Sequence, residues 1–223
     1  MIYMKLDKYE AGGAADEAIS VLQNGGVIAY PTETFYGLGA RFDAVASLQR
    51  LYELKRRPAE KAMPLIIGGM ELLPMVVSEK WLNSIPRIVR LIMENFWPGP
   101  LTLLLPAKEG LSGYLSADTG KVAVRVPGES FALHLARRAG FPITATSANL
   151  SGKPPADKAD EVLKYFGDEI DLLIDSGATP GGLPSTIVDA SEGSATIVRE
   201  GAIEKNHLES FVRNIQKDSQ HCS

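Results

Sequence analysis

Segments typical of β-strands and of α-helices alternate along almost the whole of this chain. The helical segments carry apolar residues three and four positions apart, whereas the strand segments are short apolar runs that end at glycine, proline or polar residues. Such alternation predicts an α/β fold, in which helices cover the faces of a sheet. Because some neighbouring strands have no helix between them, we expect part of the pairing to be antiparallel.

The predicted elements form one continuous succession without a linker or an internal repeat. The predicted helices lie at residues 14–24, 43–55, from Pro86 onward, 131–139, 157–166 and 205–215. The predicted strands lie at residues 27–30, 64–67, 101–105, 122–126, 143–146, 172–175, 186–188 and 196–198. Asp43 is predicted as a helix N-cap, and Pro86 as the first residue of its helix. We therefore expect a single α/β domain over residues 1–216, with a large twisted mixed (parallel and antiparallel) sheet flanked by helices, and a disordered polar tail at 217–223.

The bulk properties of the 223-residue chain are those of an ordinary globular protein. Its net charge of −4 argues against a protein whose main task is to coat nucleic acid, although a local basic cleft is compatible with that charge. The sequence contains neither an apolar stretch of bilayer-spanning length nor a signal pattern at its N-terminus. Cys222 is the only cysteine, so no internal disulfide can form, and a cytoplasmic location without membrane contact is expected.

The segment 27–39 departs from the usual pattern of a strand that leads into a helix. It begins as an apolar run, stops at Pro31, and continues with the polar side chains of Thr32, Glu33 and Thr34. Polar groups at the end of a buried strand are costly unless they are paired, and open α/β sheets bind their ligands at such an edge. Two interpretations stay open here, a ligand-binding loop and a strand that simply ends in a turn.

Basic side chains provide two further candidate sites. Lys55, Arg56 and Arg57 follow one another at the C-terminal end of a predicted helix. They could clamp phosphate groups, or they could form a solvated patch that the helix dipole favours. Arg125 lies in a run of valines, so its buried charge needs an anionic partner. That partner could be a carboxylate of the protein or the carboxylate of a substrate.

Small polar residues and glycines follow two other predicted strands. Residues 144–152 include Ser147 and Asn149, and they form either a plain polar loop or part of a ligand site. The glycine-rich turn before Ser185 allows backbone N–H groups to approach an anion closely, and Arg199 follows the last predicted strand.

Nucleophiles and general bases are scarce among these candidates. His134 lies within a predicted helix, and His207 and His221 lie in or beyond the last one. The sequence therefore indicates neither a Ser-His-Asp arrangement nor a zinc site, and it has no Walker-type phosphate loop. The polar residues favour catalysis by positioning and by stabilisation of charge, with no metal held by a dedicated set of protein ligands.

Several motifs, taken together and in this order, resemble those of the YrdC-like family, whose best known members are the L-threonylcarbamoyladenylate synthases. They are Pro31-Thr-Glu-Thr-Phe-Tyr-Gly-Leu-Gly39, Lys55-Arg-Arg-Pro58, Trp97-Pro-Gly-Pro-Leu-Thr102, Val124-Arg-Val-Pro127, Ser147-Ala-Asn149 and Pro184-Ser-Thr-Ile-Val-Asp189. The resemblance covers residues 24–203 and implies a YrdC-like catalytic domain in the short, single-domain form. It also implies an enzyme, a nucleotidyltransferase that joins L-threonine, bicarbonate and ATP into threonylcarbamoyl-AMP and releases pyrophosphate.

The resemblance further implies a place in tRNA processing and a role for each motif. The product would pass to a separate transferase complex, which modifies the adenosine beside the tRNA anticodon, and Mg²⁺ would accompany ATP. The implied catalytic residues are Lys55, Arg57 and Arg125. The implied L-threonine site comprises Thr32, Arg125 and Ser185. The implied ATP site comprises Lys55, Arg57, Ser147, Asn149 and Arg199.

One departure from the family and two alternative functions accompany this interpretation. Many members have a histidine at the position of Gly68, so the contribution of that histidine is absent or comes from elsewhere.

One alternative function is that of an RNA-binding or ribosome-maturation factor that uses the same basic cleft, and weak tRNA binding would also suit the synthase. The basic residues that support it are Arg50, Lys55, Arg56, Arg57 and Lys61. Another is a carbamoyl-transfer domain of the kind found in hydrogenase-maturation proteins.

Overall fold

The computed structural model describes residues 1–6, 11–58 and 60–220, with side chains up to residue 215. The strands are β1 (Ile2–Lys5), β2 (Ile28–Pro31), β3 (Tyr36–Gly39), β4 (Leu65–Ile66), β5 (Leu101–Pro106), β6 (Lys121–Arg125), β7 (Ile143–Thr144), β8 (Thr146–Ser147), β9 (Leu172–Asp175), β10 (Thr186–Asp189) and β11 (Thr196–Arg199). The helices are α1 (Ala11–Gln23), α2 (Val45–Lys55), α3 (Glu79–Leu82), α4 (Arg87–Phe96), α5 (Gly113–Ser116), α6 (Phe131–Ala139), α7 (Ala159–Phe166) and α8 (Lys205–Gln220). Short 3₁₀-helices lie at Met70–Met75 and Gly167–Glu169. None of the described helices is long and apolar enough to cross a lipid bilayer.

The strands form two mixed sheets, whereas the sequence predicted a single large one. The five-stranded sheet has the order β1-β9-β2-β3-β8, and the six-stranded sheet has the order β11-β10-β5-β6-β4-β7. Each sheet contains parallel and antiparallel pairs, so the predicted mixed pairing is confirmed. The predicted α/β class, with helices flanking the strands, is also confirmed.

The second sheet arises because the strand predicted at residues 143–146 changes partners partway. Its first half, β7, pairs with β4 in the six-stranded sheet, and its second half, β8, pairs with β3 in the five-stranded sheet. Ala145 lies between the two halves, and its N–H group donates to the carbonyl oxygen of Pro64 at 2.9 Å. The two sheets therefore share one continuous segment of chain, which we call the crossing segment (residues 143–147).

Strand β3 is an element that the sequence did not indicate, because its glycines resemble a turn. It is buried throughout and pairs antiparallel with β2 to form a hairpin. Gly39 is needed there, because a Cβ atom at that position would lie 2.8 Å from Cε1 of Tyr30. The hydroxyl of Tyr30 donates to the carbonyl oxygen of Thr144 at 2.8 Å. The hairpin thus packs on the crossing segment, and the polar turn 32–35 forms its closed end.

Strand β2 is buried on both faces, which explains its continuous apolar run. On one face Ala29 belongs to the larger hydrophobic cluster, which includes side chains of both sheets. On the other face Ile28 and Tyr30 pack in a second cluster with α1 and α6.

The predicted helices differ from the observed ones mainly at their ends, whereas the four-residue helices α3 and α5 were not predicted. Asp43 is not an N-cap, because Ala44 occupies that position and Asp43 forms an ion pair with Arg41 at 2.7 Å. Pro86 precedes α4 as its N-cap and is not its first residue. Helix α8 continues to Gln220, so residues 217–220 are helical although they were predicted to be disordered. Residues 221–223 of the predicted tail lie outside the described residues.

Candidate functional site

A cavity of about 200 Å³ lies where the hairpin, the crossing segment and the end of β6 come together. The predicted site residues that line it are Thr32, Arg57, Arg125, Ser147, Ser185 and Arg199. A larger groove of about 640 Å³ beside α8 is lined mainly by apolar and aromatic side chains. The smaller cavity instead brings together three arginines from distant parts of the sequence, so it is the candidate site for an anionic ligand.

Arg57 lines the cavity and is held there by hydrogen bonds to uncharged oxygen atoms. Its Nε donates to the carbonyl oxygen of Lys61 at 2.7 Å, and its Nη2 donates to that of Ala62 at 2.7 Å. Its Nη1 lies 3.3 Å from Oγ1 of Thr146 in the crossing segment. Burial lowers the pKa of Arg57, but a guanidinium keeps its proton in such surroundings. The charge is therefore held in place and remains available to a ligand.

Arg125 lies at the end of β6 and is almost fully buried, as the sequence indicated. Its Nη1 donates to Oε1 of Glu33 at 2.9 Å, so the protein itself supplies an anionic partner from the β2–β3 turn. The same carboxylate oxygen accepts the N–H of Gly128 at 3.2 Å. The interpretation as an internal ion pair is confirmed, and Arg125 also lines the cavity, so its binding of a substrate carboxylate stays a prediction.

Arg199 ends β11 and Ser185 immediately precedes the neighbouring strand β10, and both residues line the cavity. The Nη2 of Arg199 donates to the carbonyl oxygen of Ser185 at 2.7 Å. The hydroxyl of Ser185 shares a hydrogen bond of 2.8 Å with the hydroxyl of the buried Thr102. Desolvation lowers the pKa of Arg199, and the nearby charge of Arg125 lowers it further. Two cations therefore lie close enough to repel each other, which favours binding of an anion between them.

The β2–β3 turn holds Thr32 in a compact hydrogen-bonded loop. The Thr32 hydroxyl donates to the carbonyl oxygen of Phe35 at 2.7 Å and accepts the N–H of Thr34 at 3.1 Å. Thr34 also lines the cavity, whereas Glu33 between them does not. The turn thus contributes two threonines to the lining of the cavity.

Lys55 does not lie at an exposed helix end, contrary to expectation. It is only 2% exposed, and its Nζ donates to the carbonyl oxygens of Ser147 and Asn149, the latter at 2.7 Å. Burial, together with the nearby charge of Arg57, lowers the pKa of Lys55 to about 7. Lys55 therefore connects α2 to the chain after β8, and it does not belong to the lining of the cavity.

Asn149 also has a structural environment, whereas Ser147 lines the cavity. The amide of Asn149 donates to the carbonyl oxygens of Leu150 at 2.9 Å and Lys153 at 2.7 Å. Its Oδ1 accepts the Ser147 hydroxyl at 2.5 Å. These contacts commit the Asn149 side chain to shaping the loop. Both hydrogens of the amide nitrogen are used, so a nucleotide could contact this side chain only through the second lone pair of Oδ1 or by exchange of one of these hydrogen bonds.

Gly68 occupies a position where the structure has no room for a side chain. A Cβ atom there would lie 2.6 Å from Cα of Arg137 and 2.7 Å from the carbonyl oxygen of Ala136 in α6. The histidine common in the resembling family therefore cannot be accommodated at this position with α6 in its present place.

The basic residues that supported an RNA-binding function do not form one continuous surface. Arg50 forms an ion pair with Asp171 at 2.6 Å, and Lys55 is buried. Arg57 faces the cavity, which leaves Arg56 and Lys61 as the exposed members of the set. The basic cleft is therefore a small cavity with three arginines and not a broad electropositive face.

Within the described residues, Arg57 and Arg199 form no ion pair with the protein. The charge of Arg125 is offset by Glu33, so the cavity carries an excess of positive charge. No cluster of three or more histidine, cysteine, aspartate or glutamate side chains suited to a metal ion occurs in the described part of the chain. The arrangement can neutralise the charge of phosphate and carboxylate groups and orient them.

Comparison with known proteins places this geometry in a family. The family described as "Telomere recombination", which comprises the Sua5, YciO and YrdC proteins, has a profile that matches residues 20–201. The chain belongs to the Sua5/YciO/YrdC family. The family resemblance predicted from the motifs is thereby confirmed.

Individual members of the Sua5/YciO/YrdC family show how far the similarity extends. The threonylcarbamoyl-AMP synthase of Bacillus subtilis (strain 168) is 36% identical over 203 residues, which are 91% of this chain and 57% of that protein. The threonylcarbamoyl-AMP synthase of Enterobacter sp. (strain 638) is 38% identical over 182 residues, which are 81% of this chain and 93% of that protein. The crystal structure of Pyrococcus abyssi Sua5 in complex with L-threonine superposes with a TM-score of 0.84 at 34% identity, over 94% of this chain and 60% of that one. This chain thus spans less than two thirds of the length of the B. subtilis and P. abyssi proteins.

Sequence reasoning missed several contributors to the site. Glu33 was recognised as polar, but its partner Arg125 lies 92 positions away in sequence. Thr102 was part of a recognised motif without a role, and Thr146 was part of a predicted strand. The sequence does contain a signal for Thr102, because it is the one polar residue in the apolar run 101–105. A buried hydroxyl in such a strand needs a hydrogen-bond partner.

Proposed function

We propose that this protein synthesises threonylcarbamoyl-AMP from L-threonine, bicarbonate and ATP, with release of pyrophosphate. The observation that carries the proposal is the convergence of Arg57, Arg125 and Arg199 on one small cavity lined by hydroxyl groups. The substrates carry a carboxylate and a triphosphate, which are the groups that arginine binds best. Membership of the Sua5/YciO/YrdC family and relatives named threonylcarbamoyl-AMP synthase support the same assignment.

The proposed binding arrangement divides the cavity between the two organic substrates. Arg125 binds the carboxylate of L-threonine, and Thr32 and Ser185 bind its other polar groups. Arg57 and Arg199 bind phosphate oxygens of ATP, and Ser147 contacts the nucleotide. Lys55 and Asn149 act indirectly, because they hold the loop that carries Ser147.

The proposed reaction needs alignment more than it needs a strong base. The amine of threonine combines with bicarbonate to give a carbamate and water. A carbamate oxygen then forms a bond to the α-phosphorus as the bond to the β-phosphate oxygen breaks, and pyrophosphate leaves with that electron pair. Charge accumulates on phosphate oxygens during this step, and fixed guanidinium groups stabilise it. Mg²⁺ that arrives with ATP would share in this neutralisation.

The place of the reaction in tRNA processing is also a proposal. Threonylcarbamoyl-AMP is an activated acyl-adenylate, so a transferase that acts on the tRNA adenosine is the expected consumer. The dispersed positions of the basic side chains favour a synthase over an RNA-binding factor.

The direct test is pyrophosphate release from ATP by the purified protein, together with detection of the product by mass spectrometry. We expect release only when L-threonine and bicarbonate are both present. Release at an equal rate after omission of either substrate would refute the proposed function.

A further inference from the structure

The ion pair between Glu33 and Arg125 connects the two sheets beside the cavity. Glu33 belongs to the turn of the β2–β3 hairpin in the five-stranded sheet, and Arg125 ends β6 in the six-stranded sheet. Oε1 of Glu33 accepts from Nη1 of Arg125 at 2.9 Å and from the N–H of Gly128 at 3.2 Å. One carboxylate oxygen therefore fixes both the arginine and the chain that follows β6.

This ion pair is incompletely satisfied for a purely structural element. The two side chains are only 10% and 16% exposed, and Oε2 of Glu33 is buried without a hydrogen-bond partner in the part of the chain that the structure describes. A buried pair gains stability only when its remaining lone pairs are also satisfied. Unsatisfied buried polar atoms are rare in native proteins and call for an explanation.

Arg125 also keeps unused hydrogen-bonding capacity. Its described hydrogen bond to the protein uses only Nη1, so the Nε–Nη2 edge of the guanidinium has no partner among the described residues. That edge matches a carboxylate with two parallel hydrogen bonds. Thr32, Thr34 and Arg125 line the cavity, whereas Glu33 lies outside the lining, so the ion pair leaves the cavity itself free for a ligand.

Glu33 also offsets a repulsion within the site. Arg125 and Arg199 both line the cavity, and the charge of Arg125 is one cause of the lowered pKa of Arg199, after desolvation. A carboxylate behind Arg125 compensates this charge without occupying the space of the ligand.

We propose that Glu33 is a positioning residue, which orients Arg125 so that its Nε–Nη2 edge faces the carboxylate of L-threonine. This inference rests on the proposed function. Loss of the Glu33 charge should therefore weaken binding of L-threonine while binding of ATP changes little.

The test is steady-state kinetics of the Glu33→Gln variant, in which the side chain keeps its size but loses its charge. We expect the KM for L-threonine to rise about tenfold or more, whereas the KM for ATP stays within about twofold. Equal changes in both constants, or no change in either, would overturn the inference.

Asp171 offers a matched control. Its carboxylate also pairs with an arginine, Arg50, at 2.6 Å and accepts a backbone N–H, that of Val27, at 2.7 Å, but it lies outside the cavity lining. Asp171→Asn should lower the melting temperature and leave both KM values unchanged. If Glu33→Gln behaves in the same way, Glu33 is a framework residue.

A double-mutant cycle with Arg125→Lys tests whether Glu33 acts through Arg125. The effects of the two substitutions on the KM for L-threonine should be strongly non-additive. Once Arg125 is replaced by lysine, no guanidinium remains for Glu33 to orient, so the loss of Glu33 adds little. Additive effects would contradict the positioning role. If Glu33→Gln does not fold, Glu33→Asp replaces it in the same comparison, since the shorter side chain keeps the charge but cannot reach Arg125 in the same way.

The wild-type protein separates the two hypotheses. If the wild-type protein is active and Glu33→Gln changes the KM values for L-threonine and ATP equally, or changes neither, only the positioning role is overturned. Absence of wild-type pyrophosphate release under any substrate combination overturns the proposed function, and this inference fails with it.

Discussion

At the scale of single residues, the cations of the site differ in what they contact. Lys55 donates to two backbone carbonyls and is shielded from solvent, whereas Arg57 and Arg199 keep uncompensated charges at the cavity. Lys55 and Arg57 of the Lys55–Pro58 motif thus have different surroundings. The lysine holds Ser147 of β8 and the loop that follows it, and the arginine two positions later lines the cavity.

The lowered pKa of Lys55 predicts a specific pH dependence of stability. Its folded-state pKa of about 7 lies below the ordinary value of 10.5, so between these values the unfolded chain binds more protons than the folded one. The free energy of unfolding contributed by this group therefore rises with pH through that window. From pH 6 to pH 9.5, the unfolding free energy of wild type should rise by about 1 kcal/mol or more relative to that of Lys55→Met, since one pKa unit corresponds to about 1.4 kcal/mol. Urea denaturation at both pH values measures it, and a constant difference would contradict the burial of the charge.

Arg57 provides a prediction about substrate selectivity. Arg57→Lys keeps a positive charge but cannot bond simultaneously to the carbonyls of Lys61 and Ala62 and to Thr146. We expect the KM for ATP to rise about tenfold or more, because the charge is no longer fixed, while the KM for L-threonine changes less. Initial rates at varied concentrations of each substrate decide the matter. A selective rise in the KM for L-threonine would place Arg57 in the other half of the site.

At the scale of elements, the packing of α6 against the chain after β4 depends on Gly68. A Cβ atom in Gly68→Ala would lie within 2.7 Å of two backbone atoms of α6, so one element must move. Overpacking of this kind typically costs about 1–3 kcal/mol. The control is Gly13→Ala in α1, where nothing lies within 4 Å of the new atom and alanine should stabilise the helix by about 0.5–1 kcal/mol. Thermal unfolding should therefore shift in opposite directions for the two variants, and a neutral Gly68→Ala would contradict the described packing.

The elements themselves could largely be predicted, because most have a clear apolar period. The exceptions have physical reasons that a single sequence does not reveal. Strand β3 contains glycines that serve the packing of Tyr30 across the hairpin, and local preference alone assigns such residues to turns. The division at Ala145 depends on partners from two sheets, and the apolar pattern of 143–146 is the same whichever sheet it joins.

At the scale of the whole molecule, the distribution of charge predicts the response to RNA. Arg50 is paired and Lys55 is buried, so we expect any tRNA binding to be weak and to fall steeply between 50 and about 200 mM salt. Pyrophosphate release should proceed with no RNA present. Filter binding at several salt concentrations and the RNA-free assay test both parts, and a strict requirement for tRNA would contradict the proposed mechanism.

The assembly of the site could be predicted only in part. The sequence named six side chains that the fold does bring to one cavity. It did not show that Lys55 and Asn149 are committed to the loop after β8, because the Lys55 contact depends on how α2 packs against this loop and the Asn149 contacts depend on the folded shape of the loop. It also left the partner of Arg125 open, since that choice depends on the approach of two sheets.

The crossing segment couples unfolding of the two sheets to loss of the cavity. The same short run of backbone completes a sheet on each side and contributes Ala145, Thr146 and Ser147 to the cavity. Unfolding of either sheet would displace these three residues from the cavity, so a molecule with one sheet unfolded would lose the whole binding site. Ligand binding and integrity of the fold should therefore be lost in a single cooperative event, and saturating substrate should protect the amide hydrogens of both sheets from exchange to the same extent.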